Sequence, residues 1–489
     1  MHAYAHISLD MGLGVTVNRR QFICSAMGSV AGVTAGGCTS MSCEAGAAAS
    51  RRCDVLVVGG GPAGVCAAIA AARNGAKTLI VEQGNCLGGM ATQGLVGPFM
   101  TCYDKSGRHQ IIHGLFGEIV AEMVKRGGAI HPRDVRAGTA YTAWITRGHD
   151  HVTPFDSETL KFVLDDLAAE AGVDVLYHAT LVRPLMDRRR VCGAEVLTKG
   201  GLCRIGAKVV VDATGDGDVA FRAGAPCVSG DPERHGAMQP CTTFFRVSGM
   251  PLELVERWRA EHPGERLFAS EVRKAKAAGE WTIPRPHVNC YLTPRKDEWF
   301  VNVSRMNGVD PTDPQQLSDA ETLGRRQVRE VMNLLSKYVS KDIRLSALAT
   351  TLGIRESRHV LGGVVVDKDD ILGGHVPDDS IALCAYAIDL HGGKGASGTL
   401  FLTVEKGEYY GIPYRALVPK TIENLLVAGR CISATSVAAA SLRVMPPAMA
   451  TGQAAGTAAA LCVKSGVSPR NLKVLDLIAA LRSQKVFLG

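Results

Sequence analysis

The hydrophobic pattern after residue 50 predicts a strand, a glycine-rich turn, a helix and a second strand. Apart from Asp54, Cys53 to Val58 is an apolar run, as in a buried parallel strand, and Lys77 to Val81 has the pattern of a second buried strand. Between them, Gly-Gly-Gly-Pro-Ala-Gly at 59–64 opens a helix of small residues from Val65 to Asn74. Glu82 stands at the tip of the second strand. This spacing predicts a βαβ unit that binds a dinucleotide.

Each part of this unit has a physical role. Gly59 permits the tight turn, Gly61 lets the backbone approach a pyrophosphate, and Gly64 lets the helix pack closely on the sheet. The start of the helix offers free N–H groups and a positive dipole end to phosphates. The Glu82 carboxylate is placed to accept hydrogen bonds from a ribose.

The rest of the pattern predicts a nucleotide domain interrupted by an insert. A second glycine pair at 88–89 is followed by a helix from Ser157 and a four-strand region from 173 to 211, which ends in Asp-Ala-Thr-Gly-Asp-Gly-Asp. Mixed extended and helical segments then give way to another buried strand at 424–429 and a small-residue helix from Ala448 to Cys462. We expect a leader at 1–50, a nucleotide domain at 51–230 and 421–489, and a substrate domain at 231–420. No second GxGxxG follows a strand, which argues against a nicotinamide domain.

The first fifty residues have the pattern of an export signal. Arg19 and Arg20 form a twin-arginine motif, and the mild apolar stretch after it, 23–37, is too short to span a bilayer stably. Small residues at 45–49 offer cleavage sites, and Cys38 offers a poor lipid-attachment site as the alternative. We expect the twin-arginine (Tat) machinery to carry the folded, cofactor-loaded protein to the periplasm or cell envelope, without a transmembrane helix; an accidental arginine pair is the alternative.

Composition narrows the function classes. The chain has 489 residues, of which 46% are hydrophobic and 21% charged, with 54 Lys and Arg against 47 Asp and Glu. We find no dense basic block with interleaved aromatics, so we expect no nucleic-acid partner. The 15 cysteines include no CxxC pair, which argues against zinc or clustered iron–sulfur ligands, and we expect no metal.

Seven motifs in order carry a family resemblance. They are GGGPAG at 59–64, LGGMAT at 87–92, DATGDGD at 212–218, GIRESR at 353–358, IPYRALVP at 412–419, NLLVAGRCIS at 424–433 and RVMPPAMATGQAAG at 443–456. With them the sequence resembles the FAD-dependent oxidoreductase family and, more distantly, fumarate reductase flavoproteins and the flavin subunit of heterodisulfide reductase. The resemblance implies an α/β fold with a Rossmann-like, glutathione-reductase-type, three-layer FAD-binding domain and β-meander. The pattern of residues 231–420 predicts an inserted antiparallel-sheet α+β substrate domain, and we expect the FAD to be non-covalent, with covalent attachment through a His or Cys as the alternative.

Most residues that we expect to bind FAD lie in or beside the glycine-rich turns. They are Gly59, Gly61, Pro62, Ala63, Gly64, Glu82, Gln83, Gly88, Gly89, Met90, Ala213, Thr214, Gly215, Gly429, Arg430, Met445 and Pro446. Arg430 stands where related flavoproteins often have an acid, so its contact is either through the backbone or a charge pair with phosphate. A helix beginning near Pro447 would direct N–H groups and its positive end at the flavin, although proline is also common at a plain helix start.

Five residues are candidates for catalysis. Arg355, Glu356 and Arg358 crowd into one stretch beside His359, and arginines suit carboxylate, phosphate or polyol oxygens. The alternative for this stretch is an Arg–Glu–Arg ion-pair network that joins two domains. His391, after an apolar strand, is the preferred proton-transfer residue, with a structural histidine as the alternative. Arg443, just before the flavin-facing turn, is placed to contact substrate or cofactor.

Three functional hypotheses follow from these features. The first is an exported enzyme that moves hydride between flavin N5 and a small polar substrate, a sugar or organic acid, and exchanges electrons with a quinone, a cytochrome, another protein or oxygen. The second is a reductase of the C=C bond of an unsaturated acid. The third is an envelope binding protein that keeps the fold without turnover.

Overall fold

A computed structural model of the protein describes residues 50–392 and 398–489. The predicted leader, with its twin-arginine motif and Cys38, lies outside the described residues apart from Ser50. Within the described ranges no helix is both long and apolar enough to cross a membrane.

The strands and helices of the described chain are numbered in order. The strands are β1 (Arg51–Val58), β2 (Thr78–Val81), β3 (Asp174–Leu176), β4 (Thr180–Asp187), β5 (Arg190–Thr198), β6 (Gly201–Asp212), β7 (Cys227–Ser229), β8 (Phe245–Ser248), β9 (Asn289–Leu292), β10 (Trp299–Asn302), β11 (Arg344–Leu348), β12 (Arg358–Val360), β13 (Ser380–Cys384), β14 (Ile388–His391), β15 (Thr399–Leu402), β16 (Tyr410–Pro413) and β17 (Leu425–Val427). The helices are α1 (Pro62–Arg73), α2 (Gly114–Lys125), α3 (Ser157–Glu170), α4 (Asp218–Arg222), α5 (Leu252–Glu261), α6 (Ala269–Ala277), α7 (Pro314–Tyr338), α8 (Lys368–Leu372), α9 (Ser436–Leu442), α10 (Met445–Ser465) and α11 (Val474–Ser483).

The main sheet draws strands from both ends of the chain. Its order is β3-β2-β1-β6-β5-β4, with β17 also paired to β6. Strands β3, β2, β1, β6 and β17 run parallel, whereas β4, β5 and β6 form the predicted antiparallel meander. The N-terminal half of β6 pairs with β5, and its C-terminal half pairs with β17. This is the expected α/β fold, with parallel strands buried as continuous apolar runs.

Small residues let the first and last parts of the chain pack together. Helix α1 contains six alanines in twelve residues, and nine of its residues are buried. A Cβ at Gly452 of α10 would overlap the Ala63 carbonyl oxygen of α1, and one at Gly456 would overlap that of Ala67. Two glycines four residues apart therefore allow backbone contact between the helices, and this holds the C-terminal segment against the nucleotide-type βαβ unit.

A second, antiparallel sheet lies within the predicted insert. Its strand order is β11-β8-β10-β9, and a separate apolar core containing Trp299, Phe245 and Phe268 packs on it. The long helix α7 starts at Pro314, because the Asp313 side chain accepts from the Gln316 N–H and proline suits the first turn. The sheet and helices agree with the expected α+β insert, whereas the domain boundaries at 230 and 420 stay a prediction.

Candidate functional site

The C-terminal ends of four parallel strands meet at one cavity of about 860 Å³. Val58 ends β1, Val81 ends β2, and Ala213 and Ala428 directly follow β6 and β17; all four line the cavity. This edge is where open parallel sheets bind their ligands.

The structure brings most of the predicted site residues to this cavity. Lining it are Gly59, Gly61, Pro62, Ala63, Glu82, Gln83, Gly89, Met90, Ala213, Thr214, Gly215, Arg355, Arg358, His391, Gly429, Arg430, Arg443 and Met445. Four predicted residues are not among the lining: Gly64, Gly88, Glu356 and Pro446. Their contacts with a ligand stay predictions.

Helix α1 presents an uncapped N-terminus to the cavity. Gly61 is its N-cap and has no side chain to satisfy the first N–H groups, and the first turn has no acidic residue. Helix α3, in contrast, is capped by the Asp156 carboxylate, which accepts from the Thr159 N–H. A Cβ built on Gly61 meets no atom within 4 Å. Free amides, a positive helix end and open space at Gly61 fit the pyrophosphate of a dinucleotide.

The Glu82 carboxylate ties the glycine-rich turn to the segment after β2. Its Oε2 accepts from the Gly60 N–H at 2.7 Å, and its Oε1 accepts from the Gly84 N–H at 2.6 Å. The second glycine pair adds to this contact, since the Gly88 N–H donates to the Gly60 carbonyl at 2.8 Å. Glu82 is buried and lines the cavity, and backbone N–H groups fix the orientation of its carboxylate. The ribose contact stays a prediction.

The start of α10 is close to the prediction. The helix begins at Met445, two residues before Pro447, so the two prolines lie inside its first turn. Because proline has no N–H, the Met445 amide is the only N–H donor among the first three residues. Val444, Met445 and Ala448 line the cavity, and neither a capping side chain nor an acidic residue lies at this end. The start of α10 therefore attracts an anionic ligand more through its helix dipole than through the backbone N–H groups that we expected from the sequence.

Arg430 forms an ion pair within the protein. Its Nη2 lies 2.7 Å from Asp216 Oδ1, and its Nη1 donates to the Ile354 carbonyl at 3.2 Å. Asp216 also accepts from the Ser357 hydroxyl at 2.6 Å. Asp216 is thus a partner of Arg430 within the protein, and the contact of Arg430 with a phosphate stays a prediction. The pair joins the turn after β6 to the turn after β17.

The Arg–Glu–Arg network considered for residues 355–358 does not form. Arg358 pairs with Asp218 at 3.0 Å, and Glu356 accepts from the Gln239 N–H at 2.9 Å. Arg355 donates to the Pro240 carbonyl at 2.5 Å instead. Burial lowers the pKa of Arg355 to about 9, and nearby Arg443 adds to this effect. The three side chains thus have separate partners, and Arg355 and Arg358 face the cavity while Glu356 does not.

His391 and Asp389 form a dyad on strand β14. His391 Nε2 lies 3.3 Å from Asp389 Oδ2, and His391 Nδ1 lies 3.1 Å from the Thr399 hydroxyl. Burial, with nearby arginines, lowers the pKa of His391, so the imidazole is neutral near pH 7. A carboxylate only accepts, so Nε2 carries the proton and Nδ1 keeps its lone pair.

Two further groups surround the Asp389 carboxylate. The Tyr386 hydroxyl donates to Oδ2 at 3.2 Å, and the Arg443 guanidinium lies 3.8 Å from the same oxygen. Burial by itself would raise the pKa of Asp389, but the electrostatic interaction and hydrogen bond with His391, together with the charge of Arg443, lower that pKa. The dyad is therefore an ionised acid beside a neutral histidine.

Sequence reasoning missed several residues of this part of the cavity. Asp389, Arg285, Asn289, Tyr291 and Tyr386 all line it. Asp389 was within reach of sequence reasoning, because it lies two residues before His391 and alternate residues of a strand share a face. Arg285 precedes strand β9 in a loop without a motif, and nothing local indicates its position.

Comparison with known protein families gives one match over most of the chain. The model of a family described as FAD dependent oxidoreductase matches residues 54–483.

Individual relatives match shorter segments. A digeranylgeranylglycerophospholipid reductase of Methanoculleus marisnigri is 30% identical over 179 residues, which cover 36% of this chain and 42% of that protein. A thiamine thiazole synthase of Aeropyrum pernix is 34% identical over 183 residues, covering 35% of this chain and 57% of that protein. The matched segment thus spans roughly half of each relative's length.

Among solved structures, similarity extends over the chain at low identity. A geranylgeranyl bacteriochlorophyll reductase-like protein from Thermoplasma acidophilum has a TM-score of 0.41 and 14% identity, covering 89% of this chain and 82% of its own. The p-nitrophenol 4-monooxygenase PnpA from Pseudomonas putida has a TM-score of 0.43 and 12% identity, covering 90% and 89%.

Proposed function

The chain belongs to the FAD dependent oxidoreductase family and is an enzyme with FAD as its cofactor, and on that premise we propose that it exchanges hydride with a small polar organic substrate, a sugar or an organic acid. The observation that carries the proposal is that two groups of residues line the same cavity. The first, the glycine group, is Gly59, Gly61, Gly89, Gly215 and Gly429. The second, the arginine group, is Arg285, Arg355 and Arg443 with Asp389 and His391.

The glycine group fits the dinucleotide part of the cofactor. The uncapped N-terminus of α1 is suited to the pyrophosphate and Glu82 to the adenosine ribose, and Thr214 and Gly429 line the same cavity. When bound, FAD supplies the two-electron hydride donor or acceptor.

The arginine group supplies substrate binding and proton transfer. Asp389 fixes the Nε2–H tautomer of His391, so Nδ1 is the atom that takes a proton from a substrate hydroxyl or acid. The neutral state of His391 near pH 7 leaves Nδ1 as an acceptor, for which a substrate competes with the Thr399 hydroxyl 3.1 Å away. Tyr386 and Arg443 hold the Asp389 carboxylate in place, so the dyad is oriented before substrate arrives.

The electron partner and location complete the proposal. A single dinucleotide motif in the sequence favours a quinone, a cytochrome, another protein or oxygen over a nicotinamide as the second reactant. The twin-arginine motif at Arg19 and Arg20 favours export of the folded, FAD-loaded protein to the periplasm or cell envelope, with lipid attachment at Cys38 as a variant. The lipid named for the reductase relative is not carried over, because the match covers 42% of that protein.

The test is anaerobic mixing of the FAD-loaded protein with a panel of sugars and organic acids. We expect at least one compound to bleach the flavin absorbance, and His391→Ala to slow the bleaching by about 10²–10⁴-fold while FAD stays bound. A protein that no panel member bleaches, and that passes electrons to no acceptor after dithionite reduction, would refute the proposal.

Reduction of a C=C bond in an unsaturated acid is the second candidate. Arg355 and Arg443 both line the cavity in which His391 lies, and such an enzyme needs cations on a carboxylate near a proton donor. Oxidation of a dye-reduced protein by unsaturated acids, and not by sugars, would favour this candidate. Its electrons would then come from a membrane cytochrome.

A further inference from the structure

We propose that the arginine group is an anion-binding subsite, and that the substrate is an organic acid held there by a carboxylate rather than a neutral sugar. This inference rests on the proposed function and narrows its substrate class. It is carried by two cavity-lining guanidinium groups, those of Arg285 and Arg355.

These two arginines have no acidic partner in the part of the chain that the structure describes. Neither has a carboxylate within 4.0 Å among residues 50–392 and 398–489. The Nε atom of Arg285 is buried there without a hydrogen-bond partner, and Arg355 donates to the Pro240 carbonyl. Arg355 is 9% exposed, so water compensates little of its charge.

Three other arginines of the cavity already have acidic neighbours within the protein. Arg430 pairs with Asp216 at 2.7 Å and Arg358 with Asp218 at 3.0 Å. Arg443 lies 3.8 Å from the Asp389 carboxylate, which also binds His391. The acids in these pairs lie more than 4.0 Å from the guanidinium groups of Arg285 and Arg355.

Burying cations without partners is costly, which is why such groups are normally paired or bind an anion. Burial lowers the pKa values of both Arg285 and Arg355, in line with this cost. A guanidinium group presents parallel N–H donors that match the two oxygens of a carboxylate. A neutral polyol would satisfy the hydrogen bonds and leave the charges unbalanced. The geometry thus favours a substrate that brings negative charge into the cavity.

The test is isothermal titration calorimetry of the FAD-loaded protein with succinate, citrate, inorganic phosphate and the neutral polyol erythritol. We expect succinate or citrate to bind saturably, with a Kd that rises with added NaCl, and erythritol not to bind. Arg285→Gln and Arg355→Gln should each weaken binding at least tenfold while FAD content stays unchanged. Arg355→Lys, which keeps the charge, should recover part of the loss. Arg326→Gln, on the exposed face of α7, is the matched control and should bind as wild type.

Several outcomes would overturn the inference. They are erythritol binding as tightly as the acids, no binding by either carboxylate, phosphate binding more tightly than both, or arginine variants that bind the acids normally. Loss of FAD in the variants, with flavin absorbance as the readout, would assign the arginines to the cofactor and also overturn it. The salt and ligand series on wild type needs no variant, so a misfolded variant does not remove the test. If acids bind as expected but no compound bleaches the flavin, the proposed function fails alone; if only neutral sugars bleach the flavin and acids do not bind, this inference fails alone.

Discussion

Replacement of Gly61 by alanine separates cofactor binding from folding. In the described protein a Cβ at this position meets no atom within 4 Å, and the backbone has φ −66° and ψ −177°, which any residue adopts. The added methyl group instead projects into the open space where the uncapped start of α1 is suited to a pyrophosphate. We therefore expect Gly61→Ala to weaken FAD binding without unfolding the protein.

Three free-energy contributions set the expected effects of Gly61→Ala on stability and on FAD affinity. Removing a glycine at a compatible backbone position stabilises the fold by about 0.4–1 kcal/mol. Alanine is a poorer N-cap than glycine by roughly 0.5–1 kcal/mol, so the two terms nearly cancel. The stability of the FAD-free protein should change by less than about 1 kcal/mol. Crowding by one methyl group in the FAD-bound protein costs about 1–3 kcal/mol, which corresponds to roughly a 5- to 150-fold weaker affinity.

The assay is paired: FAD titration by fluorescence quenching, and urea unfolding of the FAD-free protein. Gly64→Ala is the matched control, because its Cβ would overlap the Gly59 carbonyl oxygen. This control should lower the free energy of unfolding by about 1–3 kcal/mol. Unchanged FAD affinity in Gly61→Ala, or a loss of stability equal to that of Gly64→Ala, would refute the reasoning.

Three further predictions concern other parts of the chain. Burial raises the pKa of Asp212 from 3.8 to about 6, so the contribution of this group to stability is fully present below pH 3.8 and is lost as pH rises through 6. Relative to Asp212→Asn, the wild-type free energy of unfolding should fall by about 3 kcal/mol between pH 3.5 and 7.5. A difference between the two proteins that does not change with pH would contradict this. Gly456→Val should destabilise the protein by about 3 kcal/mol or more in urea unfolding, because α1 and α10 are in contact there. The control is Gly117→Val, where the nearest atom to an added Cβ is 4.0 Å away, and it should cost about 1 kcal/mol or less. Equal losses in the two variants would argue against the contact between the helices. Arg19→Lys with Arg20→Lys should leave the FAD-loaded protein in the cytoplasmic fraction, and unchanged export would argue against the twin-arginine signal.

The parts of the fold that were predictable depend on local physics. The strand–turn–helix at 53–74 follows from an apolar run, glycines at the turn and small residues in the helix, and the structure has β1 and α1 there. The segment at 424–429 also reads as a buried strand, and β17 joins β6 as the discontinuous sheet requires. Gly61 and Gly429 follow these two predicted strands, and both line the cavity, so their place in the site could be predicted from local sequence patterns.

The missed parts depend on tertiary contacts. Arg355 and Glu356 are consecutive residues of a non-helical segment, so they have separate partners and the proposed network cannot form. Arg285 reaches the cavity from a loop whose position is set by the packing of the insert. The helix start at Met445 could be predicted only to within two residues, because prolines fit equally well before or inside a first turn.

A crystal structure of the FAD-loaded protein tests the central claim most directly. The account predicts electron density for one FAD in the 860 Å³ cavity, with its pyrophosphate at the start of α1 and its ring system near Met445. Cofactor density outside this cavity, or a pyrophosphate remote from Gly61, would contradict it.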